Sequence, residues 1–149
     1  MFTLKNNPKY TFALEIAKKL KDNGHRVLFA GGCVRDALLG IESNDIDIAT
    51  SAKPEEVEKL FKKTLNVGAQ FGVMIVIIKG EPYEVATFRK DGNYEDGRRP
   101  NHVDYTDEKE DALRRDFTVN GLFYDPFVDK VIDYVNGKKD LERKLIRTI

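Results

Sequence analysis

The apolar positions near the start of the chain repeat with the spacing of one helix face. Pro8 opens this segment and Gly24 lies beyond its end. A proline at the start and a glycine after the end are typical of helix boundaries. The apolar stripe consists of Phe12, Ala13, Ile16, Ala17 and Leu20. We therefore expect an amphipathic helix that packs against a core through this stripe.

After this helix, short apolar segments rich in β-branched residues alternate with short helical segments. The predicted strands are 26–30, 45–49, 72–79, 83–89 and 131–134. The later predicted helices are 34–39, 55–61, 107–113, 116–123 and 137–144. The polar segment 91–102 contains glycines and a proline and is predicted to be a loop. The pattern indicates an α+β fold, with a mixed β-sheet flanked by helices.

The second predicted strand carries two acidic residues. Asp45 and Asp47 alternate with Ile46 and Ile48. Because successive side chains of a strand point to opposite faces, the two carboxylates should share one face, about 6.6 Å apart along the strand. The isoleucines should face the core. Asp-x-Asp alone is a common pattern, and most examples are only the polar face of a strand.

A glycine pair, Gly31 and Gly32, separates the first predicted strand from a helix that carries Arg35. Glycines in such a turn let backbone amides approach an anion, and an arginine one turn later can bind a phosphate through two parallel hydrogen bonds. The competing interpretations are a simple tight turn for the glycines and a surface ion pair with Asp36 or Asp47 for Arg35.

A phosphate-binding turn beside two carboxylates is typical of metal-dependent nucleotidyl transfer. In such sites two divalent ions lie about 3.5–4 Å apart and stabilise the attacking and leaving oxygens. Glu84, on a strand expected to lie alongside, is the candidate for a third carboxylate. Because all these ligands are hard oxygens, we expect Mg²⁺.

Composition narrows the class of protein. The 149 residues include 25 basic and 25 acidic side chains, so any RNA contact must depend on a local patch rather than on net charge. The single cysteine, Cys33, excludes an internal disulfide and suits a reducing compartment. No signal sequence or membrane-length apolar run is visible. We therefore expect a cytoplasmic protein that does not contact a membrane.

Several motifs occur in a specific order: FAGGCVRDALLG with NDIDIATSA, then VGAQFGVMIVIIKG, YEVATFR, YEDGRRPNHV and RRDFTVNGL. Together they resemble the amino-terminal head domain of class II tRNA nucleotidyltransferases and bacterial poly(A) polymerases. The resemblance extends roughly from Val27 to Ile149. It implies a nucleotidyltransferase fold of the DNA polymerase β type.

The resemblance also implies roles for individual residues. Asp45 and Asp47 would be metal ligands, and Glu84 matches the third acidic position. The residues expected to contact the nucleotide are Gly31, Gly32, Arg35, Arg115, Asp116 and Asn120. Asp116 and Asn120, four positions apart on a predicted helix, share a face that could meet a ribose. For the neighbouring Arg114, a place on the helix surface is a serious competing interpretation.

The expected function is transfer of CMP and AMP from CTP and ATP to the 3′ end of tRNA, with release of pyrophosphate. Alternatives are a poly(A) polymerase or a CC- or A-adding enzyme with the same head, small-molecule nucleotidyl transfer, and a non-catalytic nucleotide- or RNA-binding module. Residues 110–114 match the Glu-Asp-x-x-Arg string of the family's neck domain, but in the wrong place. The neck, body and tail are therefore expected to lie elsewhere, in missing domains or a second chain.

Overall fold

The structure is a computed structural model that describes residues 2–91 and 103–149. Almost all of the predicted loop at 91–102 lies outside the described residues. No helix within the described ranges is long and apolar enough to cross a membrane.

The main element is a seven-stranded mixed sheet with the order β3-β4-β5-β2-β1-β8-β9. The β2–β5 pair is parallel, and the other neighbours in this sheet are antiparallel. The strands β6 and β7 form a separate antiparallel pair. The strands are β1 (Val27–Ala30), β2 (Asp47–Thr50), β3 (Thr64–Gly68), β4 (Val73–Ile78), β5 (Glu81–Thr87), β6 (Arg89–Asp91), β7 (Val103–Tyr105), β8 (Leu122–Asp125) and β9 (Lys130–Asp133).

Helices cover both faces of the sheet. They are α1 (Tyr10–Asp22), α2 (Gly32–Leu38), α3 (Pro54–Leu60), α4 (Glu108–Leu113) and α5 (Gly137–Glu142). Alternate residues of β1 enter two different clusters: Val27 and Phe29 pack with the stripe of α1, whereas Leu28 and Ala30 pack with Ala112 of α4. Because both faces of the central strands are covered, every residue of β1 and β8 is buried. The predicted α+β architecture is confirmed.

Several elements differ from the prediction, among them the β6–β7 pair, which was not predicted. The strand β3 was also not predicted; it is a short edge strand whose alternating apolar residues, Leu65 and Val67, are exposed. The predicted helix over 116–123 is instead a 3₁₀ turn at Thr118–Asn120 followed by β8. Residues 123 and 124 pair with β1, and this strand pairing prevents a continuous helix.

Candidate active site

Asp47 stands at the first position of β2, between β1 and β5. It is exposed, whereas the three residues that follow it are buried. Ile48 pairs with Val85 of the parallel strand β5. Asp47 and Glu84, each one residue earlier, therefore lie side by side at the same edge of the sheet.

Asp45 lies two residues before β2 and not within it, so the predicted strand 45–49 begins later than expected. The alternation holds nevertheless, because Ile46 is buried between the exposed Asp45 and Asp47. The side chain of Asp45 is 84% exposed, and Lys9 Nζ lies 3.3 Å from its Oδ1. Sequence reasoning missed Lys9, because nothing in the pattern indicates a contact across 36 positions.

One cavity of about 310 Å³ brings the three predicted carboxylates together. Its lining consists of Lys9, Asp45, Ile46, Asp47, Ile75, Pro82 and Glu84. Within residues 2–91 and 103–149, however, no three histidine, cysteine or carboxylate side chains converge closely enough to hold a metal ion by themselves. The cavity thus concentrates negative charge without forming a closed ligand cage.

The electrostatic environment of Asp47 reflects this concentration. Although Asp47 as a residue is exposed, nearby protein atoms remove part of the water around its carboxylate, and this loss of hydration raises its pKa; the negative charges of Glu84 and Asp45 raise it further. The positive charge of Arg115 opposes these effects but does not cancel them. Without a further cation, ionised Asp47 is therefore less stable here than in water.

A second cavity, of about 520 Å³, opens on the other side of Asp47. It is lined by all six residues predicted to contact a nucleotide, together with Asp47 and Arg114: Gly31, Gly32, Arg35, Asp47, Arg114, Arg115, Asp116 and Asn120. The cavity lined by the glycine turn and the arginines therefore adjoins the cavity lined by the carboxylates, and Asp47 lines both.

Gly31 lies in the turn between β1 and α2 and lines the larger cavity. Its backbone has φ +76° and ψ −142°, a conformation that is essentially confined to glycine. A Cβ built on Gly31 would lie 3.5 Å from Arg115 Nη1 and 3.7 Å from Asp47 Oδ2. The backbone at this turn therefore approaches a guanidinium and a carboxylate at the same point.

Arg35 makes one of the two ion pairs considered for it. Its Nε donates to Asp36 Oδ1 at 3.0 Å, and its Nη1 donates to Asn120 Oδ1 at 2.7 Å. Asn120 Nδ2 in turn donates to Asp116 Oδ1 at 3.2 Å. Asp116 and Asn120 thus meet without the predicted helix, and the hydrogen bonds from the Asn120 amide and the Phe117 backbone lower the pKa of Asp116.

Asp111 is a residue of the site that sequence reasoning did not select. It belongs to the Glu-Asp-x-x-Arg string of residues 110–114, and its side chain is only 2% exposed. Its carboxylate accepts hydrogen bonds from Arg115 Nη2 at 2.9 Å, Arg114 Nε at 3.3 Å and the Arg89 backbone amide at 3.0 Å. The available signal was the spacing of the acid from two arginines three and four positions later, which are neighbours on a helix.

Arg115 is held from several directions. Besides the ion pair with Asp111, its guanidinium lies 5.5 Å from the centroid of the Phe123 ring, within the range of a cation–π contact. Its Nε is buried and has no hydrogen-bond partner within the described chain. The orientation of this arginine is therefore set by the fold and not by solvent.

Comparisons with known proteins agree with this geometry. A protein family described as "Poly A polymerase head domain" matches residues 27–147. A CCA-adding enzyme of Bacillus pumilus is 49% identical over 144 residues, which are 96% of this chain and 36% of that protein. One of Oceanobacillus iheyensis is 51% identical over 138 residues, covering 92% and 34%.

Among solved structures, the CCA-adding enzyme of Bacillus stearothermophilus in complex with CTP superposes with a TM-score of 0.84 at 40% identity. The match covers 95% of this chain and 34% of that one. A Thermotoga maritima CCA-adding enzyme complexed with tRNA matches with a TM-score of 0.71 at 25% identity. The chain thus spans about a third of the length of the relatives that it matches.

Proposed function

Since the chain belongs to the poly A polymerase head domain family, we propose that it is the catalytic head of a template-independent RNA nucleotidyltransferase. In the proposed reaction, the 3′-hydroxyl of a tRNA attacks the α-phosphate of CTP or ATP. A phosphodiester bond forms, the bond between the α- and β-phosphates breaks, and pyrophosphate leaves. The names of the relatives support CCA addition as the activity of the whole protein.

The observation that carries this proposal is the position of Asp47 between two cavities of opposite character. On one side lie the glycine turn and the arginines, which suit a triphosphate. On the other side lie the carboxylates. A nucleotide whose phosphates contact Arg35 and Arg115 would present its α-phosphate near Asp47.

The carboxylates fit a divalent cation, for which we propose Mg²⁺ with Asp45 and Asp47 as ligands. Their oxygens are hard ligands, and the pKa of Asp47 is raised first by loss of hydration and then by the negative charges of Glu84 and Asp45. Mg²⁺ is commonly held by one or two carboxylates, with phosphates and waters completing the shell, so a closed cage of three acids is not required. When bound, Mg²⁺ would activate the attacking hydroxyl and stabilise charge on the phosphates. We propose Glu84 as the third acidic residue of this site.

The remaining side chains bind and orient. We propose that Gly31, Gly32, Arg35 and Arg115 contact the triphosphate, and that the hydrogen-bonded pair of Asp116 and Asn120 meets the ribose. The buried carboxylate of Asp111 would hold Arg115 in its binding orientation.

We assign residues 1–149 to the head alone. In this proposal, base selection and most of the tRNA contacts come from further domains or from a second chain. The neutral charge of the chain supports this division, and the single cysteine supports a cytoplasmic location. The same head would serve a poly(A) polymerase or a CC- or A-adding enzyme.

The first test is binding of CTP and ATP with and without Mg²⁺, using the chain and its Asp47→Asn variant. Asp22→Asn is a matched control. Asp22 is the last residue of α1, at the opposite end of that helix from Lys9, which contacts Asp45. We expect Mg²⁺-dependent binding that Asp47→Asn abolishes and Asp22→Asn retains. Binding by Asp47→Asn that remains Mg²⁺-dependent would refute the proposed site.

Extension of tRNAs that end at the discriminator base, at C or at CC then selects the activity. Each is incubated with Mg²⁺ and one labelled nucleotide, and the accepted end and nucleotide distinguish CCA addition from the partial activities and from poly(A) synthesis. RNA binding that needs no metal, without any incorporation, would favour the non-catalytic module.

A further inference from the structure

A turn before α1 contacts the segment that carries Asp45. Asn7 makes this contact through its side chain, and the residue is only 4% exposed. Its Nδ2 donates to Ser43 Oγ at 3.1 Å and to the Asp45 carbonyl oxygen at 3.3 Å. Its Oδ1 accepts from the Lys9 backbone amide at 2.9 Å. One buried amide therefore joins the start of α1 to the residues immediately before β2.

Lys9 makes a second connection from the same turn. Its Nζ donates to Asp45 Oδ1 at 3.3 Å and to the Pro82 carbonyl oxygen at 2.9 Å, and it lies 5.1 Å from the centroid of the Tyr83 ring. Pro82 and Tyr83 belong to β5, which also carries Glu84. The ammonium group thus links Asp45 to the strand of the third carboxylate.

The turn that makes these contacts is itself firmly anchored. Leu4 is buried on one side of it, and Ala13, Ile16, Ala17 and Leu20 of α1 are buried on the other. Residues 41–46, in contrast, belong to no helix or strand. Contacts from an anchored element therefore limit the positions that this irregular segment can adopt.

We propose that Asn7 is a positioning residue for Asp45, with Lys9 as its support. This inference rests on the proposed function, in which Asp45 is a metal ligand. Asn7 lies outside the residues 27–147 that match the family. Hydrogen-bond partners that orient a metal ligand commonly change metal affinity by about 10–100-fold when they are removed.

The test variant is Asn7→Ser. A serine hydroxyl can still accept from the Lys9 amide, but it is too short to reach Ser43 and the Asp45 carbonyl. Asn23→Ala is the matched control, since Asn23 Nδ2 also donates to a carbonyl oxygen, that of Lys19, at the opposite end of α1.

Two measurements on the full chain decide the proposal. The first is Mn²⁺ affinity in the presence of CTP, from the water-proton relaxation that rises when Mn²⁺ is immobilised on the protein. We expect Asn7→Ser to weaken Mn²⁺ binding about tenfold or more and Asn23→Ala to leave it unchanged. The second is the NMR order parameter of the backbone amides without metal, which Asn7→Ser should lower at residues 41–46 and leave unchanged in β1 and β4.

The outcomes separate the two proposals. Unchanged Mn²⁺ affinity and unchanged order parameters at 41–46 in a folded Asn7→Ser variant would overturn the positioning role. No Mn²⁺ binding by the unaltered chain would overturn the proposed metal site and, with it, the role of Asn7. If Asn7→Ser does not fold, Lys9→Met replaces it in the order-parameter measurement. This variant keeps the aliphatic stem, and order parameters at residues 44–46 equal to those of the unaltered chain would count against the proposal.

Discussion

Replacing Gly31 by alanine tests whether the turn between β1 and α2, which lines the larger cavity, takes part in nucleotide binding. The backbone there has φ +76° and ψ −142°, and a non-glycine residue in such a region costs about 1–3 kcal/mol. The new Cβ would meet Arg115 Nη1 at 3.5 Å and Asp47 Oδ2 at 3.7 Å. These are ordinary contact distances, so the loss of stability should come from the backbone and not from a clash.

In a domain of this size, a loss of 1 kcal/mol lowers the Tm by about 3 °C. Gly31→Ala should therefore lower it by about 3–9 °C. It should also weaken CTP binding, because the methyl group would cover the surface that lies against Arg115 and Asp47. We expect at least about a tenfold weaker Kd, equivalent to about 1.4 kcal/mol.

Gly24→Ala is the control for strain. Gly24 follows α1 with φ +86°, and nothing lies within 4 Å of a Cβ built on it. It should lose a comparable amount of stability, about 1–2 kcal/mol, with no loss of CTP affinity. Thermal unfolding and titration with CTP in Mg²⁺ measure both effects. CTP affinity that survives in Gly31→Ala, or falls equally in Gly24→Ala, would refute the proposed part of this turn in binding.

Three further predictions concern charged side chains. Because loss of hydration and neighbouring carboxylates raise the pKa of Asp47 above its ordinary 3.8, ionisation of Asp47 removes stability as the pH rises through the raised value. Asp47→Asn should therefore raise the Tm of the metal-free chain at neutral pH but not in strong acid, which thermal unfolding across pH measures. Burial alone would raise the pKa of Glu108, but the hydrogen bond from Arg26 and other contacts lower it below 4.5. The pair therefore stabilises the fold above that pH, and the Tm deficit of Glu108→Gln should shrink as the pH falls through the lowered pKa. Asp111→Asn removes the buried counter-charge of Arg115 and should cost about 3–5 kcal/mol in denaturant unfolding; a cost near zero would contradict the positioning role of Asp111.

Prediction succeeded where a feature depends on neighbours along the chain. The stripe of α1 and the alternation around Ile46 are local patterns. The structure buries Ala13, Ile16, Ala17 and Leu20 of the stripe, and it buries Ile46 between two exposed acids. Prediction failed where a distant strand competes for a segment. Residues 116–123 carry helix-compatible spacing, yet the last two residues of this segment belong to β8, which pairs with β1.

The candidate site divides in the same way. The motif residues that line the larger cavity could be chosen from sequence, because the motifs in their order resemble a known family of head domains. The sequence could not reveal the role of Asp111. Its contacts with Arg114 and Arg115 have helical spacing, but burial against the Arg89 backbone depends on packing of α4 beside β6.

The sequence by itself determined the class of fold, the paired acids and the glycine turn with its arginine, because these follow from local periodicity and side-chain chemistry. Only the tertiary structure decided that Asn7 and Lys9 reach Asp45, across 38 and 36 positions. It also decided that Glu84 lies beside Asp47, through the parallel pairing of β2 and β5. The physical reason is that such contacts depend on the order of the strands and on the packing of α1, and no local pattern records either.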